Sequence, residues 1–126
     1  MPTIISTKAA PAAIGPYSQA VQVGNTLYLS GQIALDPQTG QMVEGDFEAQ
    51  VHRAIRNTKA VVEAAGGSLR QCVRLTLYLT DLANFPRANE IMHAYFQAPY
   101  PARSTVGVAA LPRGALFEIE ATVVLE

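Results

Sequence analysis

Apolar and polar residues alternate along this chain with two periods, and the changes between them divide it into elements. Residues 18–23 and 26–30 are short extended runs that flank Gly24-Asn25, a pair suited to a two-residue hairpin turn. Before them, residues 10–16 are rich in Ala and Pro and read as an irregular arm. Asp36-Pro37-Gln38-Thr39-Gly40 reads as a turn. From residue 47 to 65 the period becomes helical: Phe47, Val51, Ala54, Ile55, Thr58, Val61, Val62 and Ala65 share one side, with Arg53, Arg56, Lys59 and Glu63 outside. Asp46 is placed to cap the start of this helix, and Gly66-Gly67 to stop it.

Strict alternation returns over residues 73–80. Val73, Leu75, Leu77 and Leu79 are expected on one face, and Arg74, Thr76, Tyr78 and Thr80 on the other. Asp81 or Asn84 opens a second helix with Pro86 in its first turn and an apolar stripe of Phe85, Ala88, Met92, Tyr95 and Phe96. Pro99 and Pro101 end it. Residues 103–110 read as a strand, residues 111–114 as a turn, and residues 116–125 as a last strand with Phe117, Ile119, Ala121, Val123 and Leu125 inward. Two or three strands, a helix, a strand, a helix and two strands make an α+β domain. Both helices are expected on one face of a mixed β-sheet. The other face then needs a cover.

Composition sharpens that need. The chain has 126 residues and 19 charged ones, or 15%, against about 25% in a typical soluble domain. Residues 9–35 contain no Asp, Glu, Lys or Arg, and only Arg103 and Arg113 lie between Glu90 and Glu118. A neutral, solvated surface would account for this. A subunit interface accounts for it better, because charge is depleted at interface cores. The length suits one domain, residues 1–126. A net charge of −1 disfavours a dedicated nucleic-acid binder. No 18-residue apolar stretch exists to span a membrane, and the N-terminus lacks a secretory pattern. Cys72 is the sole cysteine, so no intrachain disulfide forms. The scattered His52, His93 and Cys72 have no metal-site spacing, and no phosphate-cradling glycine motif is present. A cytoplasmic protein without metal or cofactor is expected.

Few residues stand out chemically. Glu118 and Glu120 sit two apart on one strand, roughly 6.5–7 Å between Cβ atoms. Such a pair divides acid and base roles in some enzymes, although alternating Glu is more often a solvated face. Arg103, isolated among Pro99, Tyr100, Pro101 and Val106, suits a fork that holds a carboxylate, or a structural ion pair. Asn89 falls on the apolar side of its helix and needs a hydrogen-bond partner there.

Four segments, taken together in their order and spacing, carry a resemblance. They are Ala13-Ile14-Gly15-Pro16-Tyr17-Ser18-Gln19, Ser30-Gly31-Gln32-Ile33, Pro101-Ala102-Arg103-Ser104 and Glu118-Ile119-Glu120-Ala121, supported by residues 61–66 and 77–82. The chain closely resembles the Rid family (reactive intermediate deaminases, the YjgF/L-PSP family), and its RidA type in particular. The resemblance implies a chorismate-mutase-like fold and a homotrimeric barrel with three clefts between subunits. It implies hydrolytic deamination of small 2-imino acids, the products of pyridoxal-phosphate-dependent dehydratases, to 2-keto acids and ammonia. It gives Arg103 the substrate carboxylate and Glu118 the hydrolytic water. Tyr17, Ser30, Gly31 and Asn89 line the cleft, and Thr105 contacts ligand through its main chain. Many members carry Cys at Thr105 and an aliphatic residue at Phe117. The rival readings are a non-catalytic small-acid-binding regulator and a ribonuclease or translation inhibitor.

Overall fold

The computed structural model describes residues 2–126. Its strands are β1 (Thr3–Ile5), β2 (Ala20–Val23), β3 (Thr26–Leu29), β4 (Cys72–Leu79), β5 (Ala102–Gly107) and β6 (Phe117–Val124). Its helices are α1 (Phe47–Ala64), between β3 and β4, and α2 (Phe85–Met92), between β4 and β5. The strands form one mixed sheet in the order β1-β2-β3-β6-β4-β5, antiparallel throughout except for the parallel β4–β5 edge. The α+β expectation, with two helices on one face of a mixed sheet, is met.

Local chemistry explains each boundary. Asp46 accepts from the Ala49 amide at 3.1 Å and caps α1. Gly66 takes φ +86°, a region a side chain rarely enters, and its amide and that of Gly67 satisfy the Glu63 and Val62 carbonyls. The inward side of α1 carries fully buried Val51, Ile55, Val61 and Val62, each stabilising the fold by about 1.5–3 kcal/mol. Phe47 meets Phe117 edge-on at 6.1 Å, so the large residue at 117 is absorbed by the core.

Three expectations need correction. Val73 does not share the buried face: Cys72 pairs with Val123 and Arg74 with Thr122, which leaves Val73 as one extra residue in a β-bulge, exposed. Cys72 takes the inward position instead. The regular part of α2 ends at Met92, so Tyr95 and Phe96 reach the core from the turn that follows. The strand β1, for which the sequence offered no reading, pairs with β2 ahead of the arm. The strand expected over residues 103–110 closes at Gly107.

Three buried amides tie the loops to this frame. Gln19 accepts from the Thr7 amide and donates to the carbonyls of Thr7 and Pro11. Asn57, fully buried, donates to the carbonyls of Ile33 and Leu35 and accepts from Arg53. Gln50 accepts from the Leu116 amide just before β6.

Both helices and the buried halves of β3, β4 and β6 share one core. The opposite sheet face carries Val21, Tyr28, Thr76, Tyr78, Glu118, Glu120, Thr122 and Val124, none of them buried. No helix is long and apolar enough to cross a membrane among the described residues.

Candidate active site

The residues singled out from the sequence fall into two groups on opposite sides of the sheet. Arg103 pairs in register with buried Leu75, so it points to the helix side of the edge strand β5. There its guanidinium lies 5.1 Å from the centre of the Phe85 ring, and Nη1 donates to Asn89 Oδ1 at 2.8 Å. Phe85 and Asn89 are one helical turn apart on α2, so they hold the fork from one face and one end. The fork opens beside a cavity of about 370 Å³ between α2 and β5, floored by Leu75, Met92 and Phe96 and rimmed by His93 and Tyr100. His93 meets Tyr100 edge-on at 6.0 Å. Thr105 pairs with Leu77 and shares this side.

Glu118 pairs with Tyr78 and faces the other way. Its carboxyl lies against the α carbon of Gly31: a Cβ built on Gly31 would stand 2.7 Å from Glu118 Oε2. The Gly31 segment is clamped by a reciprocal pair of hydrogen bonds between Gln32 and Ile119, at 2.8 and 3.1 Å. Ser30 binds back to the arm, its amide to the Gln19 carbonyl at 3.0 Å and its hydroxyl to the Ser18 carbonyl at 2.6 Å. Tyr17, one residue earlier, is exposed. Ser30, Gly31 and Glu118 are thus one group, with Tyr17 on the arm next to the Ser18 that Ser30 binds, and Asn89, Arg103 and Thr105 are the other.

Electrostatics differ between the two. Half-burial, and then the charge of Glu120, raise the Glu118 carboxyl above the usual carboxylate range. Among the described residues no cation lies within salt-bridge distance of Glu118 or Glu120 and no carboxylate within that distance of Arg103; the ion pairs present join Arg87 to Glu48 and Glu90. The guanidinium donors of Arg103 other than Nη1 are therefore open to an incoming carboxylate. Glu120 accepts from the Tyr78 hydroxyl at 2.7 Å. His52 is bonded to Tyr95 at 2.6 Å, which takes it away from the site. Burial pushes the Cys72 thiol up to about 12, so it is no nucleophile at neutral pH. Among the described residues no cluster of three or more His, Cys, Asp or Glu is placed to hold a metal ion.

Two contributors escaped the sequence reading. Phe85 was visible only as part of an apolar stripe, though its spacing to Asn89 marked a shared face. Tyr78 was on the polar side of its strand, but its partner became apparent only from the β4–β6 register.

A family described as Endoribonuclease L-PSP matches residues 7–125. A 2-iminobutanoate/2-iminopropanoate deaminase of Dermatophagoides farinae is 52% identical over 98% of this chain and 96% of its own. The crystal structure of RidA from the Antarctic bacterium Psychrobacter sp. PAMC 21119 superposes with a TM-score of 0.94 at 50% identity, covering 98% of this chain and 99% of the other. The structure of E. coli TdcF with bound serine superposes with a TM-score of 0.93 at 42% identity, covering 98% and 99%. With the fold, the order of its motifs and these likenesses in agreement, the chain belongs to the Rid (L-PSP) family and to its RidA type.

Proposed function

We propose that this chain is a 2-iminobutanoate/2-iminopropanoate deaminase, working as one domain over residues 1–126 and as a homotrimer. The observation that carries the reading is the split site. A carboxylate fork at Arg103 and a half-buried base at Glu118 lie on opposite faces of one sheet, so one chain does not bring them onto one substrate. A second copy seated on the open face does: it sets the Arg103 edge of one subunit against the Glu118 and Gly31 face of the next. That face has no helix over it and leaves Tyr28 and Val124 exposed, apolar and aromatic surface that a second copy would cover. The likeness to a protein described with bound serine supports a site that takes a small amino-acid-like carboxylate.

The chemistry needed is modest. The imine carbon of a short 2-imino acid is already electrophilic, so orientation, a water and proton handling suffice. Arg103 binds the carboxylate in a fork, fixed by Asn89 and the Phe85 ring. The main chain near Gly31 and Thr105 aligns the substrate, with Ser30 beside it and Tyr17 closing the cleft. Glu118 takes a proton from water as its oxygen bonds to C2. That proton passes to the substrate nitrogen to give a carbinolamine; Glu118 then carries the proton of the new hydroxyl to the nitrogen as C=O forms and the C–N bond breaks, and a 2-keto acid and ammonia leave. Half-burial, which raises the Glu118 carboxyl, suits a group that must both accept and return a proton. No step calls for a metal or cofactor.

Substrates of this kind are released by pyridoxal-phosphate-dependent dehydratases acting on hydroxy amino acids, so the reaction belongs in the cytoplasm beside them. The ribonuclease reading has less support. The net charge is −1, His52 and His93 lie on different elements, and His52 is engaged by Tyr95. A purely binding role leaves the placement of Glu118 against Gly31 without use.

A coupled assay tests the proposal. A threonine or serine dehydratase generates the intermediate, and keto-acid release is followed with and without this protein. Release above the spontaneous rate is expected; release at the spontaneous rate contradicts it.

A further inference from the structure

Tyr78 and Glu120 have no part in the chemistry above, yet they face Glu118 from two strands. Tyr78 is the cross-strand partner of Glu118 on β4, and its hydroxyl donates to Glu120 Oε1 at 2.7 Å. Glu118 and Glu120 project from the same face of β6, two residues apart. Among the described residues neither forms an ion pair, although Arg74 lines the same groove as Glu120. Arg74, also on β4, turns its Nη2 to the Ser104 hydroxyl of β5 at 3.0 Å. Tyr28 on β3 and Ser30, Gly31 and Tyr17 add no Asp, Glu, Lys or Arg. Among the described residues the two carboxylates therefore share one face with a single hydrogen-bond donor, Tyr78, and that donor is given to Glu120. The Tyr78 proton is itself held more tightly because of the carboxylate it binds.

We propose that Tyr78 and Glu120 are a positioning pair: Glu120 supplies the negative charge that keeps a proton available at Glu118, and Tyr78 holds that charge in place and partly offsets it. The inference rests on Glu118 being the proton-transfer group. Two like charges on one face disfavour joint ionisation, so the first proton taken up belongs to the pair. Deleting the Glu120 charge makes the doubly ionised state unnecessary, and Glu118 then loses its proton at lower pH. Deleting the Tyr78 hydroxyl removes a donor from the doubly ionised state, so the first proton binds at higher pH. Because Tyr78 acts only through Glu120, its deletion has no effect once Glu120 is neutral.

The test is the pH profile of kcat/KM for Glu120→Gln, Tyr78→Phe and the double variant, each as a ratio to the parent so that the pH dependence of the imine cancels. The acid limb is expected to move to lower pH in Glu120→Gln, to higher pH in Tyr78→Phe, and to coincide with Glu120→Gln in the double variant. Titration of the ¹³C-labelled Glu118 carboxyl by NMR reads the same three shifts without turnover. Profiles that overlay the parent, or a double variant lying midway between the singles, overturn the pair. Glu118→Gln separates this from the parent reading. If it retains parental kcat/KM, the proton-transfer role of Glu118 fails. If it is inactive while the other profiles stay fixed, only the positioning pair fails.

Discussion

The carboxyl of Glu118 rests on the α carbon of Gly31, so close that a methyl group there would stand 2.7 Å from Oε2. The position is glycine for the sake of the neighbour: its backbone does not adopt positive φ. Gly31→Ala is therefore expected to fold, because alanine suits this backbone, but to displace the carboxyl. A displacement of about 1 Å at a reacting group costs on the order of 100-fold in rate. Steady-state kinetics beside a thermal melt check this: kcat/KM falls by about that factor while the melting temperature stays near that of the parent.

Arg103 is held by Asn89 at 2.8 Å and by the Phe85 ring. Lysine keeps the charge but not the fork, so Arg103→Lys is expected to lower kcat/KM by about 10- to 100-fold, mainly through KM. Asn89→Ala, which frees the fork without removing it, is expected to cost about tenfold. Equal losses in kcat with KM unchanged would show that the arginine does not bind the substrate carboxylate.

Much of the fold was legible because periodicity reports burial directly. The hairpin around Gly24-Asn25, the capped helix α1 and the alternating β6 all appear in the pattern. The failures have local causes. One inserted residue at the β4 bulge reverses Val73, and alternation within a single strand carries no record of what its partner omits. Strand β1 is three residues long and exists through pairing with β2. The site was legible as residue types and motif order. Its division between two sheet faces was not, because that depends on Arg103 pairing with Leu75 while Glu118 pairs with Tyr78.

Asn57 is fully buried and holds the Ile33 and Leu35 carbonyls that follow Gly31. Asn57→Ala leaves these groups and the Arg53 side chain without their partner. Buried acceptors cost about 1–3 kcal/mol each when orphaned, so a loss of about 2–4 kcal/mol is expected in denaturant unfolding. A loss under 0.5 kcal/mol, on that same scale, would mean that water replaces the amide.

Cys72 gives a stability dependence at high pH. Its thiol is pushed up to about 12 in the folded chain, against about 8.5 unfolded. The folded state thus holds the proton more tightly. Between those limits the unfolded state binds fewer protons, so stability is full below about pH 8.5 and declines as pH rises toward 12. Cys72→Ala is expected to remove that part of the slope in unfolding measured from pH 8 upward. An unchanged slope assigns the decline to other groups.

In the proposed trimer Arg103 of one subunit and Glu118 of another serve one substrate. Arg103→Ala and Glu118→Gln chains, each inactive alone, are co-expressed with different tags, and oligomers carrying both tags are isolated. In a mixed trimer one cleft of three pairs an intact Arg103 with an intact Glu118, so keto-acid release should return to about one third of the parental rate. Mixed trimers as inactive as either parent variant would place both residues in the same chain's site and contradict the account.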